Sequence, residues 1–537
     1  MKKMKKAIVL AQALLLAGSM TLAGCKERVS NDAGTLQIYV ANFGYGYEWL
    51  EELKKEFVKQ PWVLEKYPTI TEDNLVIEKN SERSYAIDRI MQGSSNTIDL
   101  FFSVSSGASN YEKEYRDGAS YFENLEELYN TTIPGETQTI AEKMDENFLT
   151  MSTFTRLDGT TTYYAFPWVS GMQGLLYNAS AFERAGVEIP RTTDELIELS
   201  TVLADDKGET PFIFSSKENY WTCTMFLIWW AQYEGLENYS NFYQGIVVDE
   251  NGKKVMSRDI FAQTGRLRSL QVVEDLIFYP TDNIHENVNT LSFTQAQARF
   301  LLGQGLMMPN GDWFETEMSR TKEEDNITDE FTFMPSPVIS AITEQLDTQL
   351  TDDELSQVIA KIDEGAASKE DVASVKEITD GDFAKLYEAR KLVLPVGNHN
   401  AYIPSYATAK ELAKDFLLFM ATDTACNLFI DTTRGASMPF KYDVETEDPE
   451  LYAGLATLQK DRLKMQQDAI YMLNENTYAG SYYGGIARFS EERTSIESLF
   501  TAKNAKDQQT AEQIYQAEID RWTEDRWRSV LENMGLI

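Results

Sequence analysis

The chain is short of five things. Cysteine occurs three times in 537 residues, too seldom for a disulfide-stapled secreted fold. Histidine occurs twice. His285 stands in a polar stretch and His399 in Gly397-Asn398-His399-Asn400; neither belongs to a nucleophile motif, and no His/Cys spacing suits zinc. Gly-x-Ser-x-Gly, an EF-hand loop and an ATP-binding motif are missing as well. Basic residues number 49 against 85 acidic ones, a formal charge of −36. That balance disfavours nucleic acid and anionic lipid as partners, because both need Lys and Arg to neutralise phosphate. Past the N-terminus no apolar run approaches the roughly 20 residues of a membrane-spanning helix; the best, residues 225–231, is far too short.

What is present suits large globular cores: 43% hydrophobic and 12% aromatic residues, in a length comfortable for two large domains. The start is Met1-Lys2-Lys3-Met4-Lys5-Lys6, then an apolar run over residues 7–17, then Leu22-Ala23-Gly24-Cys25. A basic head, a short apolar stretch and small residues before a cut site make an export signal. The Leu-Ala-Gly-Cys ending resembles a bacterial lipobox. It implies cleavage before Cys25, lipidation of that thiol, and a mature chain of charge near −40 held outside the membrane. Cys223 and Cys426 lie in apolar helical stretches and are expected as buried free thiols.

The first hundred mature residues alternate between two periodicities. Leu36-Gln37-Ile38-Tyr39-Val40, Leu75-Val76-Ile77 and Ile98-Asp99-Leu100-Phe101-Phe102 read as strands. Trp49, Leu50, Leu53, Phe57 and Val58 recur at helical spacing, as do Ala86, Ile87, Ile90 and Met91. The pattern is βαβαβ, hence a parallel sheet covered by helices. Ligands of such sheets bind beyond the carboxyl ends of the strands. Here those ends carry Asn42, Phe43, Tyr45 and Tyr47 on one loop, and Ser105 with Ser106 on another. Gly44 and Gly46 let the first loop approach a ligand closely; without a basic residue or the rest of the fingerprint, it is not a phosphate loop.

Thr192-x-x-Glu195, Thr408-x-x-Glu411 and Thr510-x-x-Gln513 are capping boxes and predict three helix starts. Residues 344–382 are acidic, helical in pattern and free of aromatics. They read as a surface insertion rather than part of a core.

Three stretches, in order, resemble the family 1 extracellular solute-binding proteins of ABC importers. The first is Gly174-Leu175-Leu176-Tyr177-Asn178, followed by Ala185-Gly186, Pro190 and Thr193-Asp194-Glu195. The second runs from Phe293-Thr294-Gln295-Ala296 to Gly311-Asp312-Trp313. The third runs from Ile403-Pro404-Ser405 to Met420, then Arg434-Gly435-Ala436-Ser437-Met438-Pro439. The resemblance implies a periplasmic-binding-protein-like α/β fold: two doubly wound lobes joined by a crossing-segment hinge. In these terms residues 1–24 are a lipoprotein signal peptide and 25–34 a lipid-anchored linker. Lobe one is 35–165 plus 391–440; lobe two is 166–390 plus 441–537 and carries the acidic segment 344–382.

Sugars offer apolar C–H faces and rings of hydroxyls, so their sites pair aromatic platforms with hydrogen-bonding groups. By the resemblance, Trp313 is the leading stacking residue. Asp312 either accepts sugar hydroxyls or caps the next helix. Tyr220 and Trp221 stand where the second lobe reaches over the ligand, ahead of Phe226, Trp229 and Trp230, which read as core. One of Tyr482 and Tyr483 is expected to contact ligand from before the closing helices. Trp168 and Arg434 lie near crossing or cleft-edge segments, open between ligand contact and hinge packing; Arg434 suits a carboxylate or hydroxyl pair.

The function implied is capture of a carbohydrate, in particular an oligosaccharide, by lobe closure, and delivery to permease subunits. The rivals are a peptide receptor, a sugar sensor for a membrane signalling protein, and a surface protein that has lost its ligand. A monomer is expected, with no cofactor, no metal, no catalytic residues and no membrane contact beyond the lipid.

Overall fold

The computed structural model describes residues 33–42, 44–80, 91, 97–103, 121–155, 161–216, 220–277, 283–396, 399–472, 509–533 and 537. Strand β1 (Leu36–Ala41) is buried on both faces except at Gln37. It pairs in parallel with β2 (Leu75–Asn80) and β3 (Leu100–Phe102), as the βαβαβ pattern requires. The helix Glu48–Phe57 covers the sheet with Trp49, Leu50, Leu53 and Phe57, all buried, and carries Glu48 and Glu51 in its first turn. Of the second expected helix only Met91 is described.

This sheet is completed from later in the chain. A hairpin of β4 (Thr153–Thr155) and β5 (Thr161–Tyr163) stands apart. Strand β6 (Phe166–Pro167) joins the sheet edge through β13 (Asn400–Tyr402), giving the order β2-β1-β3-β13-β6. The second sheet is built on β7 (Met172–Asn178). β10 (Met307–Gly311) pairs along one edge, and β11 (Phe331–Met334) and β12 (Leu392–Pro395) take successive stretches of the other, all antiparallel. β14 (Ile470–Tyr471) extends β12 in parallel, and β8 (Ile246–Val248) with β9 (Lys254–Met256) forms a small separate hairpin. The chain therefore passes between sheets from β6 to β7, again from β12 to β13, and a third time between β13 and β14. Pro167 thus belongs to the first sheet and Leu392 to the second, a few residues from the limits expected at 165 and 391.

Side chains on a strand alternate between faces, and the second sheet uses both. Leu176 and Met308 join a core that includes Trp49, Trp168, Trp313 and Phe429. Their neighbours Leu175, Tyr177 and Met307 join a second core with Phe226, Trp229 and Trp230, as expected of those three aromatics. Trp229 and Trp230 satisfy their indole N–H groups on the Pro337 carbonyl (3.2 Å) and Gln263 Oε1 (2.9 Å). Cys426 is a buried free thiol, as expected, and burial pushes it up to about 12; the Cys223 and Cys25 side chains lie outside the described residues.

Two expectations need correction. The capping boxes at Thr192 and Thr510 form, but that at Thr408 does not. The helix Lys410–Met420 has Ala409 as its N-cap residue, with no side-chain cap. Thr408 is drawn instead to Asp99, whose buried Oδ1 accepts from the Thr408 N–H (2.8 Å), the Thr408 hydroxyl (3.3 Å) and the Ala409 N–H (3.2 Å). A buried carboxylate outbids a local cap because it has no water to fall back on. Nor is the acidic segment confined to the surface. The helix Asp352–Asp363 buries Leu355, Val358, Ile359 and Ile362 in the second core. Those positions repeat at helical spacing, which the acidic composition masked.

Asp99 also accepts the Gln37 N–H through Oδ2 (3.1 Å), so it ties β1 to the returning chain. Asp99→Ala should lower unfolding free energy by about 2 kcal/mol, since it strands three backbone donors, of which the Ala409 N–H is buried. Urea unfolding measures this; a loss under about 1 kcal/mol would show that water replaces the carboxylate.

Candidate ligand-binding cleft

Two loops, one from each sheet, meet at the carboxyl ends of their strands. The loop after β1 turns at Gly44 and Gly46, both at positive φ (65° and 71°), which presents Tyr45 inward. The Tyr45 hydroxyl donates to Asp312 Oδ1 at 2.5 Å. Asp312 follows β10 directly and is wholly buried. It does not cap the following helix, Phe314–Glu324, whose N-cap residue is Trp313 and which has no side-chain cap. Trp313 folds back over β10: a Cβ on Gly311 would lie 2.1 Å from its ring. Only glycine leaves that space.

Aromatic rings pack around this pair. The Tyr45 ring meets Trp313 (6.4 Å between centroids), Trp168 (6.0 Å) and His399 (5.5 Å), each edge-on. Trp168 stacks on Trp49 at 5.0 Å and donates its indole N–H to the Ser103 carbonyl (3.1 Å). Exposure of Trp313 is 8% and of Trp168 1%. Of the residues singled out by sequence, Tyr45, Asp312, Trp313 and Trp168 thus come together between the two sheets.

The others are placed elsewhere. Asn42 is exposed, its N–H donating to the Asn80 carbonyl (2.8 Å). Tyr47 is half-buried beneath the Lys79 ammonium, 3.8 Å from its ring centre. Arg434 has a positive φ of 62° and a half-exposed side chain paired with Glu323 at 2.9 Å. Tyr220 and Trp221 open the helix Tyr220–Glu234, but their side chains lie outside the described residues, as do Phe43, Ser105, Ser106, Tyr482 and Tyr483.

Sequence reading missed the cation behind the cluster. Arg462 is wholly buried, with Nε 3.6 Å from Asp312 Oδ2 and 2.9 Å from Gln459 Oε1. Nη2 donates to the Gly435 carbonyl (2.5 Å) and Ser437 Oγ (2.8 Å), and Nη1 to Gln466 Oε1 and the Ser170 carbonyl. Gln459 in turn donates to the Asp312 carbonyl (3.0 Å). Arg462 sits in the helix Thr457–Gln467, a polar stretch in which nothing in the sequence marks it as buried.

Burial pushes the Asp312 carboxyl above its ordinary range, against the opposing pull of the Arg462 charge and the Tyr45 hydrogen bond. Oδ2 accepts no hydrogen bond among the described residues. No group of three or more His, Cys, Asp or Glu among those residues is placed to hold a metal.

Burial also lowers the His399 imidazole to about 3. Unfolded, it would take a proton near its usual pKa of about 6.5. Its contribution to stability is therefore complete above about pH 6.5 and drains away as the pH falls toward about 3. With two histidines in the chain, NMR titration reads this directly, His285→Gln giving the assignment. The His399 ring signals should hold still down to about pH 4; a midpoint near about 6.5 would show a solvated ring.

Comparison with known proteins bears on the family and the fold. The model for "Bacterial extracellular solute-binding protein" matches residues 41–425. The alpha-glucosides-binding periplasmic protein AglE of Rhizobium meliloti is 38% identical over 68 residues, 12% of this chain and 15% of that protein. The multiple sugar-binding protein of Streptococcus mutans is 24% identical over 150 residues, 28% of this chain and 33% of that protein. The matched stretches thus span a third or less of these relatives. Among solved structures, the GacH receptor of Streptomyces glaucescens, solved unliganded and with acarbose, aligns over 94% of this chain and all of its own (TM-score 0.57, 14% identity). The solute-binding protein RafE in complex with raffinose aligns over 93% of this chain and all of its own (TM-score 0.52, 13% identity). At such identities the likeness concerns the fold, two α/β lobes. With the family model covering well over half its length, the chain belongs to the bacterial extracellular solute-binding proteins.

Proposed function

We propose that this chain is an extracytoplasmic receptor that captures a carbohydrate, an oligosaccharide rather than a single sugar, between its lobes. It delivers the sugar to the permease subunits of an ABC importer while tethered through lipid on Cys25. The lobes divide where the chain crosses between sheets, with 35–165 and 391–440 making most of lobe one. Capture works by closure: ligand touches both lobes only in the closed form, so its preference for that form drives the change.

One observation carries the reading. Where loops from the two sheets meet, aromatic rings adjoin a buried carboxylate, one oxygen of which accepts no hydrogen bond among the described residues. Aromatic faces suit sugar C–H surfaces, and an open acceptor suits a hydroxyl. Acarbose and raffinose in the structural relatives support the same ligand class. The absence of an ATP-binding motif from the sequence leaves energy to a partner.

Thermal unfolding of the soluble chain from residue 26 tests this against oligosaccharides, monosaccharides and short peptides. An oligosaccharide at about a hundred times its Kd should add about 2.7 kcal/mol to unfolding. Trp313→Ala should weaken that ligand roughly tenfold or more, a loss of about 1.4 kcal/mol or above. A response to peptides alone overturns the sugar reading and keeps the receptor.

The anchor has its own test. The full chain should incorporate labelled fatty acid, and Cys25→Ser should abolish it. Undiminished incorporation by Cys25→Ser would overturn the lipid anchor.

A further inference from the structure

Tyr45 hangs from the loop after β1 and Asp312 from the loop after β10, so their hydrogen bond joins the first sheet to the second. Both residues are buried, at 2% and 0% exposure. A hydroxyl donating to a carboxylate is among the strongest hydrogen bonds a protein makes, and low dielectric strengthens it. A displacement of about 1 Å between the loops would break it.

The bond is seated on the crossing connection itself. A Cβ on Gly171, between β6 and β7, would stand 2.2 Å from the Tyr45 hydroxyl, 2.7 Å from Asp312 Oδ1 and 2.8 Å from Val396 on the second crossing. Arg462 backs the carboxylate while bonding Ser170 beside that glycine and Gly435 and Ser437 on the returning chain. Other bonds run alongside. Gly44 donates its N–H to Glu317 Oε1 (3.0 Å), Thr316 its hydroxyl to the Thr433 carbonyl (2.7 Å), and Arg434 pairs with Glu323. The exposed Arg434–Glu323 pair adds little; the buried bond carries the weight.

We propose that the Tyr45–Asp312 hydrogen bond, seated on Gly171 and backed by Arg462, is a lobe-to-lobe clasp that favours the closed form, with Tyr45 and Arg462 as positioning residues for Asp312. It rests on the closure reading above but needs no particular ligand. The clasp sets how much of the receptor stands ready to bind, because apparent affinity scales with the closed fraction.

Small-angle scattering of the ligand-free soluble chain tests it, separately from any ligand panel. Tyr45→Phe removes one oxygen and keeps the ring. It should shift the closed-to-open ratio roughly tenfold toward open, seen as a larger radius of gyration with the thermal transition retained. Should Tyr45→Phe fail to fold, Gly171→Ala, which wedges the pair apart, is read instead and should show the same shift. A scattering curve superimposable on that of the unaltered chain, from a folded variant, overturns the clasp. If sugar later raises the melting point of such a variant, the receptor reading stands without the clasp. If no ligand binds yet the scattering shifts, the clasp stands without the sugar.

Discussion

A carboxylate with no exposed surface sits where loops from the two sheets meet, and its surroundings supply what water cannot. Charge without solvent is costly unless it is paired and hydrogen-bonded. Asp312 meets that cost with one hydrogen bond from the loop after β1, through Tyr45, and one cation from the helix Thr457–Gln467, through Arg462. The Arg462 guanidinium is a fork of donors, so it too needs acceptors, and it finds them on the first crossing connection at Ser170 and on the returning chain at Gly435. Satisfying two buried charges thus links the strand ends, the hinge and the returning chain into one network.

The aromatic cluster follows from the same geometry. Trp49, Trp168, Tyr45 and Trp313 succeed one another from the first sheet's helix layer to the tip of β10, each ring touching the next. Stacked and edge-on contacts fix such rings more tightly than aliphatic packing does. Glycine at 171 and 311 is the complement, since each stands where a single carbon would collide with the Tyr45–Asp312 pair or the Trp313 ring.

The parts of this legible in sequence are those with a local signature. The three opening strands and the helix Glu48–Phe57 are readable because strands and helices differ in period, and parallel pairing of β1 with β2 and β3 follows from that order. Trp313 and Asp312 stood out through a motif, and Tyr45 through its place at a strand end. Arg462 was invisible, because its partners at Ser170, Asp312 and Gly435 are distant in sequence and burial of a polar helix face leaves no periodic mark. Thr408 misled for the same reason: a distant carboxylate, Asp99, competed with the local cap. The inner face of the acidic segment was written in its helical period, yet composition spoke louder than position.

A receptor that hands on its cargo must balance two demands, and the position of the buried pair bears on both. Contacts that favour closure raise affinity by sparing the ligand the work of bringing the lobes together. The same contacts oppose release, which needs the lobes apart. A hydrogen bond close to the crossing segments reconciles them better than an apolar interface would. It is directional and lost over a short displacement, so it holds the closed form firmly and gives little resistance once the lobes have begun to part. Apolar burial, by contrast, weakens only gradually as surface is exposed. That difference favours a polar clasp beside the crossing segments over an apolar one.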